Sequence, residues 1–73
     1  MKLKKLSRDN FINLEIGTRV LVTIDIPFDR RNEMYTGVIS KIGIDYDDGK
    51  IDYMSTVLHY MDQEYMDIYV IGG

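Results

Sequence analysis

Residues 35–53 read Y-T-G-V-I-S-K-I-G-I-D-Y-D-D-G-K-I-D-Y, and they constrain the fold more than any other stretch of the chain. The pair Asp48-Gly49 divides two short runs of β-branched and aromatic residues. An Asp-Gly pair favours a tight hairpin turn. Glycine enters positive φ without a Cβ penalty, and the turn then matches the right-handed twist of the strands it joins. β-Branched side chains fit a pleated strand and lose freedom in a helix. The segment predicts two or three short antiparallel strands, and with them a small β-barrel rather than a helical protein.

The flanking sequence extends the pattern. In Arg19–Ile26, Val20, Val22, Ile24 and Ile26 alternate with Leu21, Thr23 and Asp25, and a period of two rejects a helix. Pro27 ends that strand because it has no N–H to donate. Residues 28–33, F-D-R-R-N-E, read as an exposed polar loop. A second strand is expected over about 34–42, broken or bulged at Gly43, a third over 44–47 and a fourth over 50–54. Residues 55–61 fit two descriptions, a strand in which Val57, His59 and Met61 alternate with Leu58 and Tyr60, or a short helix capped by Ser55. Asp62-Gln63-Glu64 reads as a turn, 66–71 as the last strand and Gly72-Gly73 as a flexible tail. Before the first strand, Ser7 can cap one helical turn over 8–13, with Leu6, Phe11 and Leu14 packed inward. Five or six short strands joined by tight turns favour closure, which removes the exposed edges of a small sheet.

Composition bounds the function. The chain has 73 residues and reads as one domain, with residues 1–8 as a basic N-terminal arm. So small a core makes self-association a plausible extra source of stability. There is no cysteine, so no disulfide staples the fold, and His59 is the only histidine, so no Cys/His zinc site is expected. Residues 1–6 run into Ser-Arg-Asp-Asn rather than an apolar core, so no secretory leader is expected. No apolar run approaches membrane-spanning length. The expected compartment is the cytoplasm. Usage rich in Ile, Asp, Tyr, Lys and Met, with no Trp, suits an AT-rich bacterial or viral gene. Charge is asymmetric. Lys2, Lys4, Lys5 and Arg8 precede every acid, whereas residues 45–67 hold seven acids and one lysine. All six tyrosines lie from residue 35 onward. A net charge of −3 disfavours a broad phosphate-binding face.

No catalytic or cofactor site emerges. The acids from Asp45 to Asp52 fail the spacing of a calcium loop, because Gly49 falls one place early and the twelfth position is Thr56. Neither phosphate-binding glycine motif is present. No acid–base pair is marked out, and His59 reads as a half-buried strand histidine.

Two resemblances add to this reading. Gly17-Thr-Arg-Val20-Leu-Val22, then Tyr35-Thr-Gly37-Val-Ile39, then Tyr46-Asp47-Asp48-Gly49 resemble the Tudor and SH3-like small barrels over residues 16–60. That resemblance implies an aromatic cage for a methylated Lys or Arg, held by cation–π contact. Tyr35 and Tyr46 match two cage positions. A third, near the end of the first strand, falls on Ile24 or Ile26, with Phe28 the nearest ring. The terminal Gly72-Gly73 is similar to the tail of ubiquitin-like and sulfur-carrier proteins, which implies activation of a terminal carboxylate. Their β-grasp fold needs a helix after the first hairpin.

The reading is an all-β antiparallel barrel of five or six strands with a short N-terminal helical turn, acting as a non-catalytic protein-binding module. The expected contact residues are Phe28, Arg30, Arg31, Tyr35, Tyr46, Asp47, Asp48 and Tyr53. Aromatic residues concentrate in interface cores, and acids beside them suit a basic protein partner. A virus-encoded inhibitor of a basic site on a host protein, acting in the host cytoplasm, is one concrete form. A homo-oligomer formed through the tyrosines is another use of the same face. The alternatives are a nucleic-acid-binding barrel that uses Lys2, Lys4, Lys5, Arg8, Arg30 and Arg31, and a sulfur carrier that acts through Gly72-Gly73. No metal, cofactor or membrane is expected.

Overall fold

The structure is a computed structural model that describes residues 2–7 and 14–72. The helical turn expected over 8–13 lies outside them. Six strands form one antiparallel sheet: β1 Lys2–Lys5, β2 Arg19–Ile26, β3 Arg31–Ile39, β4 Gly43–Tyr46, β5 Ile51–Tyr53 and β6 Met66–Gly72. One helix, α1 Met54–Met61, sits between β5 and β6, and a short 3-10 turn at Pro27–Asp29 links β2 to β3. The sheet order is β1-β6-β2-β3-β4-β5. This is the small antiparallel β fold expected from the period-two pattern.

The register sorts the side chains. Val20, Val22 and Ile24 lie opposite Gly37, Tyr35 and Glu33 of β3, and opposite Val70, Ile68 and Met66 of β6. Residues directly opposite in an antiparallel pair share a face, so all of these point to one side. That side holds the core, in which Leu6, Val20, Val22, Ile39, Ile44, Val57, Met66 and Ile68 are buried. Leu14 packs against it, as expected.

Among the described residues, no ladder joins β1 to β5, so hydrogen bonding does not close the sheet into a barrel. The helix takes the place of that closure. α1 contacts β4 and β5 on one side and β6 on the other, and its Val57 is wholly buried in the shared core. Met54, Leu58 and Met61 pack beside it. These four residues, spaced i, i+3, i+4 and i+7, form one helical stripe. The helix starts at Met54 with Tyr53 as N-cap and no side-chain capping bond, so Ser55 is not the cap.

Several boundaries differ from expectation. The polar loop at 28–33 is short, because Arg31 already pairs with Ile26 and begins β3. β3 stops at Ile39 rather than continuing to 42. There the Ser40 N–H donates to the Gly43 carbonyl at 2.8 Å, turning the chain into β4. Residues 2–5 of the basic arm form the edge strand β1, with Lys2, Leu3, Lys4 and Lys5 paired to Gly72, Ile71, Val70 and Tyr69. That pairing also takes Gly72 out of the expected flexible tail.

At the hairpin turn the outcome matches the sequence. Gly49 has φ +89°, and its N–H donates to the Tyr46 carbonyl at 3.0 Å. The Asp48 carboxylate accepts the Lys50 N–H at 2.9 Å, which fixes the turn from its own side chain.

Candidate functional site

The core face is not apolar along its whole length. Beyond Val22 and Ile24, the same face of β3 carries Tyr35, Glu33 and Arg31. Gly37 opposes Tyr46, which puts the Tyr46 ring on this face of β4. Ile44 opposes Asp52, so Asp52 faces the same way from β5. Polar and aromatic residues thus gather at one end of the concave face, beside His59 and Tyr60 of α1.

They line a cavity of about 580 Å³. Ile24, Ile26 and Met66 give it an apolar side. Tyr35, Tyr46, Tyr60 and Tyr65 supply rings, and Arg31, Asp48, Lys50, Asp52, His59 and Gln63 supply polar groups. The Tyr35 and Tyr46 ring centres are 5.6 Å apart and tilted by 55°.

The polar groups are set by specific contacts. The Tyr46 hydroxyl donates to Asp52 Oδ2 at 2.6 Å. Burial first, and then this bond to a carboxylate, raise the Tyr46 pKa far above the ordinary phenol value, so the hydroxyl keeps its proton. Arg31 Nε donates to Glu33 Oε2 at 2.8 Å. The Glu33 carboxylate is held below its ordinary pKa, first by the Tyr35 hydroxyl and then by Arg31, against an opposing effect of desolvation. The Tyr46 and Tyr35 hydroxyls are therefore both committed as donors to carboxylates, Asp52 and Glu33.

The expected contact residues divide between the faces. Arg31, Tyr35, Tyr46 and Asp48 line the cavity together. Phe28 reaches it indirectly, 72 % exposed and packed edge-on against Tyr65 at 5.3 Å. Arg30 ends the 3-10 turn in the left-handed region at φ +52° and is exposed there. Asp47 points to the opposite face, because adjacent strand residues alternate. It accepts both Arg19 terminal nitrogens at 2.9 and 3.0 Å and the Thr36 hydroxyl at 2.6 Å. Tyr53 also leaves the cavity, one residue past Asp52 and 58 % exposed.

Sequence reasoning missed Tyr60, Tyr65, His59, Lys50, Asp52 and Gln63 as lining residues. Asp52 was within reach, since it sits four residues past Asp48 on the far arm of the predicted hairpin. Tyr60 and His59 required residues 54–61 to be a helix. The Ile24 and Ile26 positions, which lack the third cage ring, border the cavity themselves. Tyr60 and Tyr65 bring rings to it from elsewhere in the chain.

Among the described residues, no group of three or more His, Cys, Asp or Glu could hold a metal ion. No helix among them is long and apolar enough to cross a membrane. Comparison with protein-family models, curated proteins and solved structures finds no match to this chain.

Proposed function

We propose that this chain is a non-catalytic protein-binding module that takes a cationic side chain of its partner in the concave tyrosine cavity. The observation that carries this reading is the convergence of four tyrosines with Asp48 and Asp52 on one cavity with an apolar side. Aromatic faces and ionised carboxylates both attract a cation, and the apolar side accepts the stem that bears it. The two carboxylates are already engaged, Asp52 by Tyr46 and Asp48 by the Lys50 N–H. That suits holding a ligand more than moving protons. The net charge of −3 favours a basic partner, and a small inhibitor covering a basic surface is one concrete form.

With no tryptophan in the chain and four of its six tyrosines lining the cavity, tyrosine emission reports mainly on that site. Titration with short peptides carrying a central Arg or Lys is expected to change that emission saturably. Tyr35→Ala and Tyr60→Ala should each weaken binding by about 1 kcal/mol, roughly fivefold. A different result points elsewhere. If peptides are inert while a single-stranded oligonucleotide binds, with binding lost in Lys2→Ala/Lys4→Ala/Lys5→Ala and steeply reduced by salt, the chain is a nucleic-acid binder. Deleting Gly72-Gly73 should leave peptide binding intact.

A further inference from the structure

Among the described residues, the sheet ends in two unpaired edges that differ in character. β1 lines one with Lys2, Lys4 and Lys5, and lysines on an edge oppose pairing with another strand. β5 lacks this protection on its outward residues. The Tyr46 N–H donates to the Lys50 carbonyl at 2.9 Å, and the Met54 N–H donates to the Ile42 carbonyl at 2.7 Å. Antiparallel ladder bonds fall on alternate residues. Lys50, Asp52 and Met54 thus turn their backbone groups toward β4, and Ile51 and Tyr53 turn theirs to the open edge. Those two side chains are 46 % and 58 % exposed.

We propose that a second copy of this chain pairs at this edge, β5 against β5, about a two-fold axis through Ile51. In this register the backbone groups of Ile51 bond to those of Ile51 in the second copy. Lys50 then lies opposite Asp52 of the second copy, and Asp52 opposite its Lys50, so two opposite-charge pairs form across the join. Asp52 uses Oδ2 for Tyr46, which leaves its other oxygen for the incoming ammonium. Charge excludes the competing self-pairings. Shifting the register to set Ile51 against Tyr53 places Asp52 directly against Asp52. Pairing β1 with itself sets lysine against lysine. The two-fold is isologous, so assembly stops at the dimer. It also leaves both concave cavities on the same side of one continuous sheet, which makes the dimer bivalent.

The chain has no cysteine, so single introduced thiols give a clean test. Directly bonded antiparallel residues have Cα atoms about 5.5 Å apart, within disulfide range. Under mild oxidation Ile51→Cys is expected to form a covalent dimer readily, whereas Tyr53→Cys and Leu3→Cys remain monomeric. Light scattering on the unmodified chain should show a concentration-dependent monomer–dimer equilibrium. Lys50→Glu should weaken it about tenfold, from two lost pairs and new repulsion. Mixing Lys50→Glu with Asp52→Lys should restore a heterodimer. Three results would overturn the proposal: a monomer at every concentration with unselective cross-linking, cross-linking of Ile51→Cys to Tyr53→Cys in a mixture, or growth beyond a dimer that Lys4→Glu abolishes.

Discussion

Gly43 and Gly49 both have positive φ, at +155° and +89°, but the space around them differs. A Cβ on Gly43 would stand 1.8 Å from the Asp52 carbonyl oxygen, a backbone atom that cannot move aside without breaking β4–β5 pairing. A Cβ on Gly49 would meet nothing within 4 Å. Gly43→Ala is therefore expected to cost more than about 3 kcal/mol in thermal or urea melts, and Gly49→Ala only the local strain of about 1 kcal/mol. Asp47 makes an acid-side prediction. Arg19 and then Thr36 hold its carboxyl at about 2, below the ordinary 3.8. A depressed folded pKa stabilises the fold above 3.8, and that contribution is lost as pH falls toward 2. Asp47→Asn should flatten this acid-side fall in melting temperature. Tyr46 acts in the opposite direction. Its pKa is raised by burial and then by Asp52, so its contribution is complete below 10.0 and fades as pH climbs above that value. Tyr46→Phe should remove this alkaline loss while costing about 1 kcal/mol near neutrality for the missing hydrogen bond.

At the scale of elements, α1 depends on its buried stripe rather than on a cap. Val57 is fully buried, so Val57→Ala should cost about 2 kcal/mol. Ser55 makes no capping bond to the helix, which starts after Tyr53, so Ser55→Ala should stay within about 0.5 kcal/mol. Urea titration of the two variants checks both values, and equal losses would restore Ser55 as the cap. The same stripe explains why 55–61 was ambiguous in sequence. Val57, His59 and Met61 alternate as a strand would, while Met54, Val57, Leu58 and Met61 repeat as a helix does. β3 must reverse into β4 before β5 leads into this segment. The side of the sheet on which it must land then selects the helical period.

For the whole molecule, the role of the N-terminus is the clearest departure from the sequence reading. Lys2, Lys4 and Lys5 count less for their charge than for their backbone, which pairs with β6 along four residues. The Lys5–Asp67 ion pair, at 3.3 Å, is exposed and contributes under about 1 kcal/mol. Deleting residues 2–5 should expose the β6 edge and lower the melting temperature sharply, with loss of solubility. Lys2→Ala/Lys4→Ala/Lys5→Ala should melt close to the unmodified chain. Calorimetry separates these outcomes. A harmless deletion would return the segment to the role of a solvated arm.

The sequence by itself determined the local geometry. The Asp48-Gly49 turn, the period-two strand over Arg19–Ile26 and the stop at Pro27 follow from turn chemistry, alternation and a missing donor, all of which act over a few residues. Two rings of the candidate site, Tyr35 and Tyr46, were also named from the sequence, through the resemblance to small barrels with an aromatic cage. Tertiary structure decided what depends on distant partners. β1 exists because Gly72 and Ile71 return beside it, and Lys-Leu-Lys-Lys carries too little apolar pattern to announce a strand. Tyr60 and Tyr65 reach the cavity only because α1 folds back between β5 and β6, and no local spacing encodes that return. Tyr46 and Asp47 were expected on one contact surface, and only the register across the strands showed that Tyr46 meets the core face while Asp47 turns to Arg19 and Thr36 on the other.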